Sequence, residues 1–232
     1  YVDMGGLFHT TREQLELHER FQAEGITAVL GMGSAPGIPN VQAHYAAQRL
    51  DTIEGIHIYD GIKPPPGDDI LFGYAVPTII DELTMPPIVY RDGEFVACDP
   101  LSEPEEYWFE PPLGLLKTHL SLHSEVATLP ITFADKGVRE CFFKINYWGM
   151  SKETVEKVSV LAEFGFDRRD PVQIKDAQIT PRDFMIAMMA DFVPTALEIL
   201  STPENEPGDW AKEIVTEVAG TSDGEPVTYR MG

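Results

Sequence analysis

The first twenty-five residues carry an amphipathic pattern with clear signals at both ends. Thr10 and Glu13 form a capping-box pattern, and Gly25 stands where a glycine commonly follows a helix. A helix is therefore predicted between them. The apolar positions that predict its buried stripe are Leu15, Leu17 and Phe21.

A βαβ unit is predicted to follow this helix. The apolar run ITAVLG (26–31) predicts a buried strand, and GIHIYDG (55–61) predicts a strand that ends in a turn. Pro39 fits the first turn of an intervening helix. That helix continues to about residue 50 on the spacing of Val41, Tyr45 and Ala46. Strand, glycine-rich turn, helix and strand is the order of a βαβ unit.

The pattern changes after KPPPGDD (63–69), a proline-rich loop and a candidate domain boundary. Short strands dominate from there, including a hairpin over 86–98 with Asp92 and Gly93 in its turn. The other predicted elements are a strand at 71–76, an acidic proline-rich loop at 102–114, a strand-like start at 115–130 and a long strand at 138–148.

Two helices and a second hairpin are predicted near the C-terminal end of the sequence. Ser151 is expected to cap the first helix, whose apolar side is formed by Val155, Val158 and Leu161. Thr180 and Pro181 open the second helix, which runs through Met189. The hairpin spans 212–231 around Asp223 and Gly224.

Composition narrows the function classes. The 232 residues include 38 acidic and 17 basic side chains, which gives a net charge of −21 and argues against general nucleic-acid binding. No apolar run approaches the roughly 20 residues of a membrane span, and no signal peptide is visible. Cys98 and Cys141 are expected to be small core residues rather than a disulfide, so a cytoplasmic location is predicted.

A glycine-rich segment is the first candidate site. Gly31, Gly33 and Gly37 lie between the predicted strand and helix, with Pro36 before the last glycine, and Asp60 ends the next strand. Three interpretations stay open. The loop is a near-miss of a dinucleotide fingerprint with Asp60 on the ribose, a tight turn that needs glycine, or a loop whose amides contact a substrate or the nicotinamide end of a cofactor.

The second candidate site is the spacing His119-x-Ser121-x-His123-x-Glu125. On a strand all four side chains would point to one face, either toward a substrate or toward solvent. The two histidines would then lie about 13 Å apart at ~3.3 Å per residue, too far to share a zinc ion. A helix would bring them one turn apart, where they could share one.

Two weaker constellations remain. Lys144 and Asn146 share a strand face near Arg139 and either bind a substrate carboxylate or pair with neighbouring acids. Asp3 and His9 flank a glycine pair at a strand end, where open α/β sheets place ligands, or they make local turn hydrogen bonds.

The segments YVDMGGLFH, AVLGMGSAPGIPNV and LHSEVATLP…FKINYWGM resemble the saccharopine dehydrogenase-like oxidoreductases, which include saccharopine reductases, lysine 6-dehydrogenases and carboxynorspermidine dehydrogenases. The resemblance implies an α/β fold with two parts. Residues 1–55 would supply late strands of a Rossmann-type domain whose nucleotide fingerprint precedes this sequence. Residues 56–232 would form a second, mixed-sheet α/β domain for substrate binding and dimerisation, incomplete at its C-terminus. Asp60 would then lie in the second domain.

The resemblance implies an NAD- or NADP-dependent oxidoreductase that acts on the C–N bond of an amino-acid-derived amine or imine, as a homodimer. The loop with Gly31, Gly33, Pro36 and Gly37 would line the cofactor end of the cleft. The substrate-site candidates are Asp3, His9, Asn40, His123, Glu125 and Lys144, and His123 and Glu125 are also the candidates for proton transfer. No metal is expected.

One departure leaves the substrate open. Many relatives have Asp-Pro-Gly where this sequence has Ala35-Pro36-Gly37. A lysine 6-dehydrogenase-like or carboxynorspermidine dehydrogenase-like enzyme is therefore the alternative within the class. A non-catalytic oligomerisation or binding domain and a zinc hydrolase using His119, His123 and Glu125 are the alternatives outside it.

Overall fold

The computed structural model describes residues 1–63, 75–147, 152–190 and 211–232. The described residues form seven α-helices, one 3₁₀ helix (Ala134–Lys136) and ten strands. The helices are α1 (Phe8–Leu15), α2 (His18–Ala23), α3 (Ile38–Ala47), α4 (Val76–Thr84), α5 (Glu125–Thr132), α6 (Lys152–Glu163) and α7 (Pro181–Met189). The strands are β1 (Thr52–Lys63), β2 (Ile88–Arg91), β3 (Glu94–Ala97), β4 (Glu105–Phe109), β5 (Gly114–Leu120), β6 (Glu140–Ile145), β7 (Val172–Ile174), β8 (Ala177–Ile179), β9 (Ala211–Ser222) and β10 (Glu225–Met231).

Eight strands form one mixed sheet with β1 near its centre. The order is β10-β9-β1-β6-β2-β3, and β5 joins the end of β6 while β4 pairs with β5. β1 runs parallel to β6, with Asp60 beside Ile145, and antiparallel to β9, with Asp60 beside Ile214. This mixed α/β architecture confirms the fold class that the sequence predicts. None of the helices in the four described ranges is long and apolar enough to cross a membrane.

The two faces of the sheet bury different cores. Ile56 and Ile58 of β1 and Phe143 of β6 belong to the larger core, which also contains apolar residues of α3, α4 and α5. Tyr59 and Phe142 belong to a smaller core that includes Phe109 and Leu120 of the β4–β5 hairpin. Neighbouring residues of one strand point to opposite faces. The sheet therefore separates polar groups near α5 from those near the β4–β5 hairpin.

The N-terminal helix differs from the prediction. The segment is split into α1 and α2, and α1 begins after Leu7 rather than at a Thr10 cap. The buried residues of α1 are Phe8 and Thr11, whereas Leu15 is exposed, so the predicted stripe is wrong. The glycine stop is confirmed: Gly25 has φ +65°, and its N–H donates to the carbonyl of Gln22 at 3.1 Å.

The predicted buried strand at 26–31 and its βαβ unit are also wrong. Only an isolated parallel bridge joins Val29 to Val2, and Val29 and Ile26 are 40% and 50% exposed. The parallel partner of β1 is β6. A short apolar run does not specify whether other elements pack over it. The burial of residues 26–31 could therefore not be predicted from this segment alone.

Other predictions had mixed outcomes. The hairpins around Asp92-Gly93 and Asp223-Gly224, the strand at 55–61 and the helix through Met189 are confirmed. The prediction of an acidic loop at 102–114 is wrong because this segment contains β4. The prediction of a strand at 71–76 is wrong at Val76, which is the first residue of α4. The long strand at 138–148 is shorter, as β6. Residues 64–74 and Ser151 lie outside the described residues, so the boundary loop and that cap stay predictions.

Candidate functional site

His123 and Glu125 form a buried pair on the larger-core face of the sheet. β5 ends at Leu120, and the chain turns through Ser124 into α5, whose first residue is Glu125. The His123 ring stacks on Phe143, with centroids 3.7 Å apart and planes 5° apart, and its Nδ1 hydrogen-bonds to Glu125 Oε2. His123 is 6% exposed and Glu125 is fully buried. The strand-like start predicted at 115–130 is confirmed as β5, but the strand ends before His123, and the turn into α5 brings His123 and Glu125 together.

Two further carboxylates surround this pair. Burial opposes the charged imidazole, but the charge and hydrogen bond of Glu125, with the charges of Glu82 and Asp60, raise the pKa of His123 above its ordinary value. Since Glu125 holds Nδ1, Nε2 is the ring nitrogen left for a substrate. A histidine poised in this way can move a proton at neutral pH.

Several buried polar atoms near the pair lack hydrogen-bond partners. Within the described ranges these include Glu125 Oε1, Ser121 Oγ and Ser124 Oγ. Buried polar groups are usually satisfied by protein or water, so unpaired ones are uncommon. A polar ligand or water that reached this point would find acceptors and hydroxyls already in place.

The structure gives no metal site at this position. His119 lies on β5 beside Ile145, with its ring 5.3 Å from that of Tyr147, and burial lowers its pKa. In the described part of the chain, no three His, Cys, Asp or Glu side chains are arranged to hold a metal ion. The zinc interpretation through His119, His123 and Glu125 therefore has no geometric support.

The glycine-rich loop is closely packed against the N-terminal turn. A Cβ on Gly33 would lie 2.6 Å from the Met4 carbonyl oxygen, and one on Gly5 would lie 2.2 Å from Pro36 Cγ. The N–H of Gly33 donates to the carbonyl of Pro36 at 2.8 Å. These contacts lie within the chain and favour the tight-turn interpretation over a pyrophosphate cradle. A pyrophosphate would need the space that this packing fills.

Asp3 joins the N-terminal turn to this loop. Its Oδ1 accepts the N–H groups of Gly5 at 2.9 Å and Gly31 at 2.8 Å, and its Oδ2 accepts from Gln14 at 2.8 Å. Burial alone would raise the pKa of Asp3, but these donors lower it below its ordinary value. His9 is exposed on α1. The structure thus shows local turn bonding for Asp3 and does not place His9 with it.

Asn40 connects the glycine loop to the helix that carries Glu125. Its Oδ1 accepts the Gly37 N–H at 3.0 Å, and its Nδ2 donates to Thr128 Oγ at 3.1 Å. The Thr128 hydroxyl in turn donates to the Glu125 carbonyl at 3.2 Å. The loop and the His123–Glu125 pair are therefore two ends of one hydrogen-bonded path.

Replacing Asn40 by alanine is expected to lower the free energy of unfolding by about 1–2 kcal/mol, because the substitution removes a helix cap and a bond between helices. Urea unfolding followed by circular dichroism measures this loss. Val41→Ala is the matched control, since Val41 is 69% exposed on the same helix and should change stability by less than about 0.5 kcal/mol. Equal losses in the two variants would contradict the bridging role.

Lys144 lies away from this site. Phe143 faces the His123 ring, so the adjacent Lys144 points to the other face of β6, where its Nζ donates to Glu105 at 2.6 Å. Asn146 bonds the backbone of Ile62 on β1, and Arg139 pairs with Asp92. The expectation that Lys144 joins His123 in a substrate site is therefore not met, and the ion-pair alternative describes it.

Asp60 has an environment that does not suit a ribose ligand. It is fully buried on the core face of β1, and its Oδ2 lies 3.1 Å from Nζ of Lys212. Burial raises the pKa of Asp60 above its ordinary value, against the opposing charge of Lys212.

Cys141 is buried with a raised thiol pKa, as expected of an inert core cysteine, and burial also raises the pKa of the half-buried Cys98.

The sequence patterns do not predict Glu82 and Lys212 as neighbours of this site. Glu82 is buried on α4 among Ile79, Ile80 and Leu83. An acid within the apolar face of a helix was the available signal, because such a position usually requires a partner. The sequence carries no such signal for Lys212, since a lysine in an edge hairpin is common.

Comparison with known proteins points to one group of enzymes. No family model matches the chain. Carboxyaminopropylagmatine dehydrogenase of Synechocystis sp. is 25% identical over 218 residues, which cover 93% of this chain and 51% of the relative. Carboxynorspermidine synthase of Vibrio alginolyticus is 26% identical over 182 residues, covering 77% and 42%, and that of Vibrio cholerae is 26% identical over 187 residues, covering 79% and 43%.

A solved structure shares the fold. Apo saccharopine dehydrogenase (L-Glu forming) from Saccharomyces cerevisiae superposes with a TM-score of 0.52 at 15% identity, covering 94% of this chain and 63% of that one. The resemblance to the saccharopine dehydrogenase-like oxidoreductases is thus confirmed. The chain spans about half the length of the curated relatives it matches.

Proposed function

We propose that this chain serves an NAD(P)-dependent oxidoreductase that acts on the C–N bond of an amino-acid-derived amine or imine. The buried pair of His123 and Glu125 carries the proposal, because oxidation of an amine or reduction of an imine requires a proton carrier as well as a hydride carrier. The names of the relatives support the same class of reaction.

The proposed roles follow from the geometry of the pair. The cofactor, when bound, supplies hydride transfer at the substrate carbon. His123 exchanges a proton with the substrate nitrogen through Nε2, and Glu125 holds the ring by Nδ1 and stabilises its charged form. In amine oxidation the nitrogen gives up its proton to the neutral ring. In imine reduction the protonated ring returns it.

The glycine loop is proposed to line the cofactor end of the cleft, with Gly31, Gly33, Pro36 and Gly37 as its backbone. Its hydrogen-bonded path through Asn40 to α5 supports this placement. Asp3 then acts by fixing the loop. His9 and Lys144 keep no role in this proposal, because one is exposed on α1 and the other is paired to Glu105 on the opposite face.

The finer features belong to the same proposal. We propose a division into residues 1–55, which complete a Rossmann-type domain, and residues 56–232, which bind substrate and pair two copies. The parallel bridge between Val2 and Val29, which is separate from the sheet that contains β1, supports this division. A homodimer, a cytoplasmic location and either NAD or NADP are proposed with it.

The substrate class is proposed from the relatives. All three curated relatives are named for carboxylated polyamines, and this favours the carboxynorspermidine-like alternative over saccharopine, lysine metabolism or a lysine 6-dehydrogenase.

Titration of NADH and NADPH by fluorescence tests the proposal. We expect the protein extended by the residues encoded upstream of Tyr1 to bind one of the two, and this chain alone to bind neither, because its glycine loop is filled by its own backbone. The expected dissociation constant is in the micromolar range, which corresponds to a binding free energy of about −8 kcal/mol. The preferred cofactor then serves a substrate panel of carboxylated polyamines, saccharopine and lysine.

Other outcomes of the titration are equally informative. Binding by this chain alone would restore the dinucleotide interpretation of Gly31–Gly37. Binding by neither protein, with both folded, would contradict the oxidoreductase and favour a non-catalytic oligomerisation domain.

A further inference from the structure

Asp60 is a buried carboxylate that the proposed reaction does not use. It lies on β1 on the face shared with Ile56 and Ile58, and its cross-strand neighbour on β6 is Ile145. This is the face on which the His123 ring stacks against Phe143. In the described ranges neither Asp60 oxygen has a hydrogen bond of good geometry, although Oδ2 lies 3.1 Å from Lys212.

An ionised carboxylate in this position needs a cationic partner, because an isolated buried charge is very unfavourable. Asp60 interacts electrostatically with one lysine and one histidine. Lys212 comes from β9 and is mostly buried, and His123 comes from the turn before α5. Two other acids face the imidazole: Glu125 from α5 and Glu82 from α4.

We propose that Asp60 is a positioning residue for His123: anchored by Lys212, its carboxylate stabilises the protonated imidazole from the strand side while Glu125 does so from the helix side. This inference rests on the proposed function only for its catalytic consequence. The coupling between the two side chains is a property of the folded chain and exists without substrate.

The arrangement sets a direction for pH effects. Loss of the Asp60 charge removes one of the interactions that raise the pKa of His123, so the imidazole then releases its proton at lower pH. Lys212 limits the effect of Asp60, because it neutralises part of the charge that the imidazole senses. Glu125 and Glu82 remain, so the pKa of His123 falls but the ring still titrates.

The test is an NMR titration of the histidine ring in this chain. The six histidines are observed by their ring ¹⁵N–¹H correlations, and His123→Gln identifies the resonance of His123. In Asp60→Asn we expect the His123 midpoint to fall by about one pH unit, a tenfold change in its acid dissociation constant. Glu54→Gln, an exposed change on the same strand, should leave the midpoint in place.

A second measurement applies even if Asp60→Asn does not fold. In the unaltered chain, the carboxyl ¹³C shift of Asp60 should show an inflection at the midpoint of His123, since interacting groups titrate together. An unchanged midpoint in a folded Asp60→Asn variant, or an Asp60 resonance that ignores the titration of His123, would overturn the inference.

Kinetics separate this inference from the proposed function. In the extended protein, Asp60→Asn should shift the His123-dependent limb of the kcat profile to lower pH by the amount seen in the NMR titration, with KM little changed. A shifted NMR midpoint with an unshifted kcat limb would leave the coupling intact and remove His123 as the proton carrier.

Discussion

Replacing His123 by glutamine in the extended protein is expected to lower kcat by about 10²–10⁴-fold, the usual contribution of a positioned general acid or base. Glutamine preserves much of the side-chain volume and can still meet Glu125, but it cannot carry a proton. KM for the amine substrate should change little. Steady-state kinetics of amine oxidation with the preferred cofactor measures the loss.

His119→Gln is the matched control for this variant. His119 is a half-buried histidine four residues earlier and does not contact Glu125 in the described structure. Its replacement should change kcat by less than about tenfold, below the range expected of a general acid or base. A folded His123→Gln enzyme that kept kcat within the same limit would eliminate the proton-transfer role.

Replacing Gly37 by alanine is expected to destabilise the chain by about 2–4 kcal/mol. Gly37 has φ +134°, and an added Cβ would lie 2.1 Å from the carbonyl oxygen of Gly33. The atoms that the added Cβ would meet belong to the backbone of Gly33 and Gly31, so the loop must move to admit the methyl group. The bond from Gly37 to Asn40 would weaken with it. Urea unfolding at neutral pH measures the difference.

Gly25→Ala separates backbone strain from crowding. Gly25 also has a positive φ, +65°, but nothing lies within 4 Å of an added Cβ. The Gly25→Ala substitution should lower the free energy of unfolding by about 1–2 kcal/mol, the penalty of a left-handed backbone for a residue with a side chain. A Gly37→Ala variant no less stable than Gly25→Ala would show that the loop relaxes freely and is not held by this packing.

The elements that the sequence predicted are those specified locally. Asp-Gly turns defined both hairpins because two residues of positive φ close two strands regardless of what covers them. β4 was missed because its acids and the prolines on either side of it are typical of a loop. Its alternation became visible only in the structure, where Phe109 is buried and Trp108 is exposed. The side that a strand buries depends on tertiary packing.

The candidate site was predictable only in part, for the same reason. His123 and Glu125 are two residues apart, so their association was accessible from spacing, even though a helix start rather than a strand unites them. Asp60, Glu82 and Lys212 come from three elements far apart in sequence. Their proximity is set by the pairing of β1 with β9 and by the packing of α4. Neither of these long-range contacts leaves a local pattern in the sequence.

The pairing of β1 with β9 also bears on how the chain folds. These strands form the longest ladder of the sheet, from Thr52 beside Thr221 to Lys63 beside Ala211, so contact order is high and folding is expected to be slow. During synthesis at roughly 5–20 residues per second, one edge of β1 waits about 10–30 s for β9 to emerge from the ribosome. Throughout that interval β1 presents an unpaired, largely apolar strand edge, so a nascent chain is most exposed to aggregation just before the β9–β10 hairpin appears.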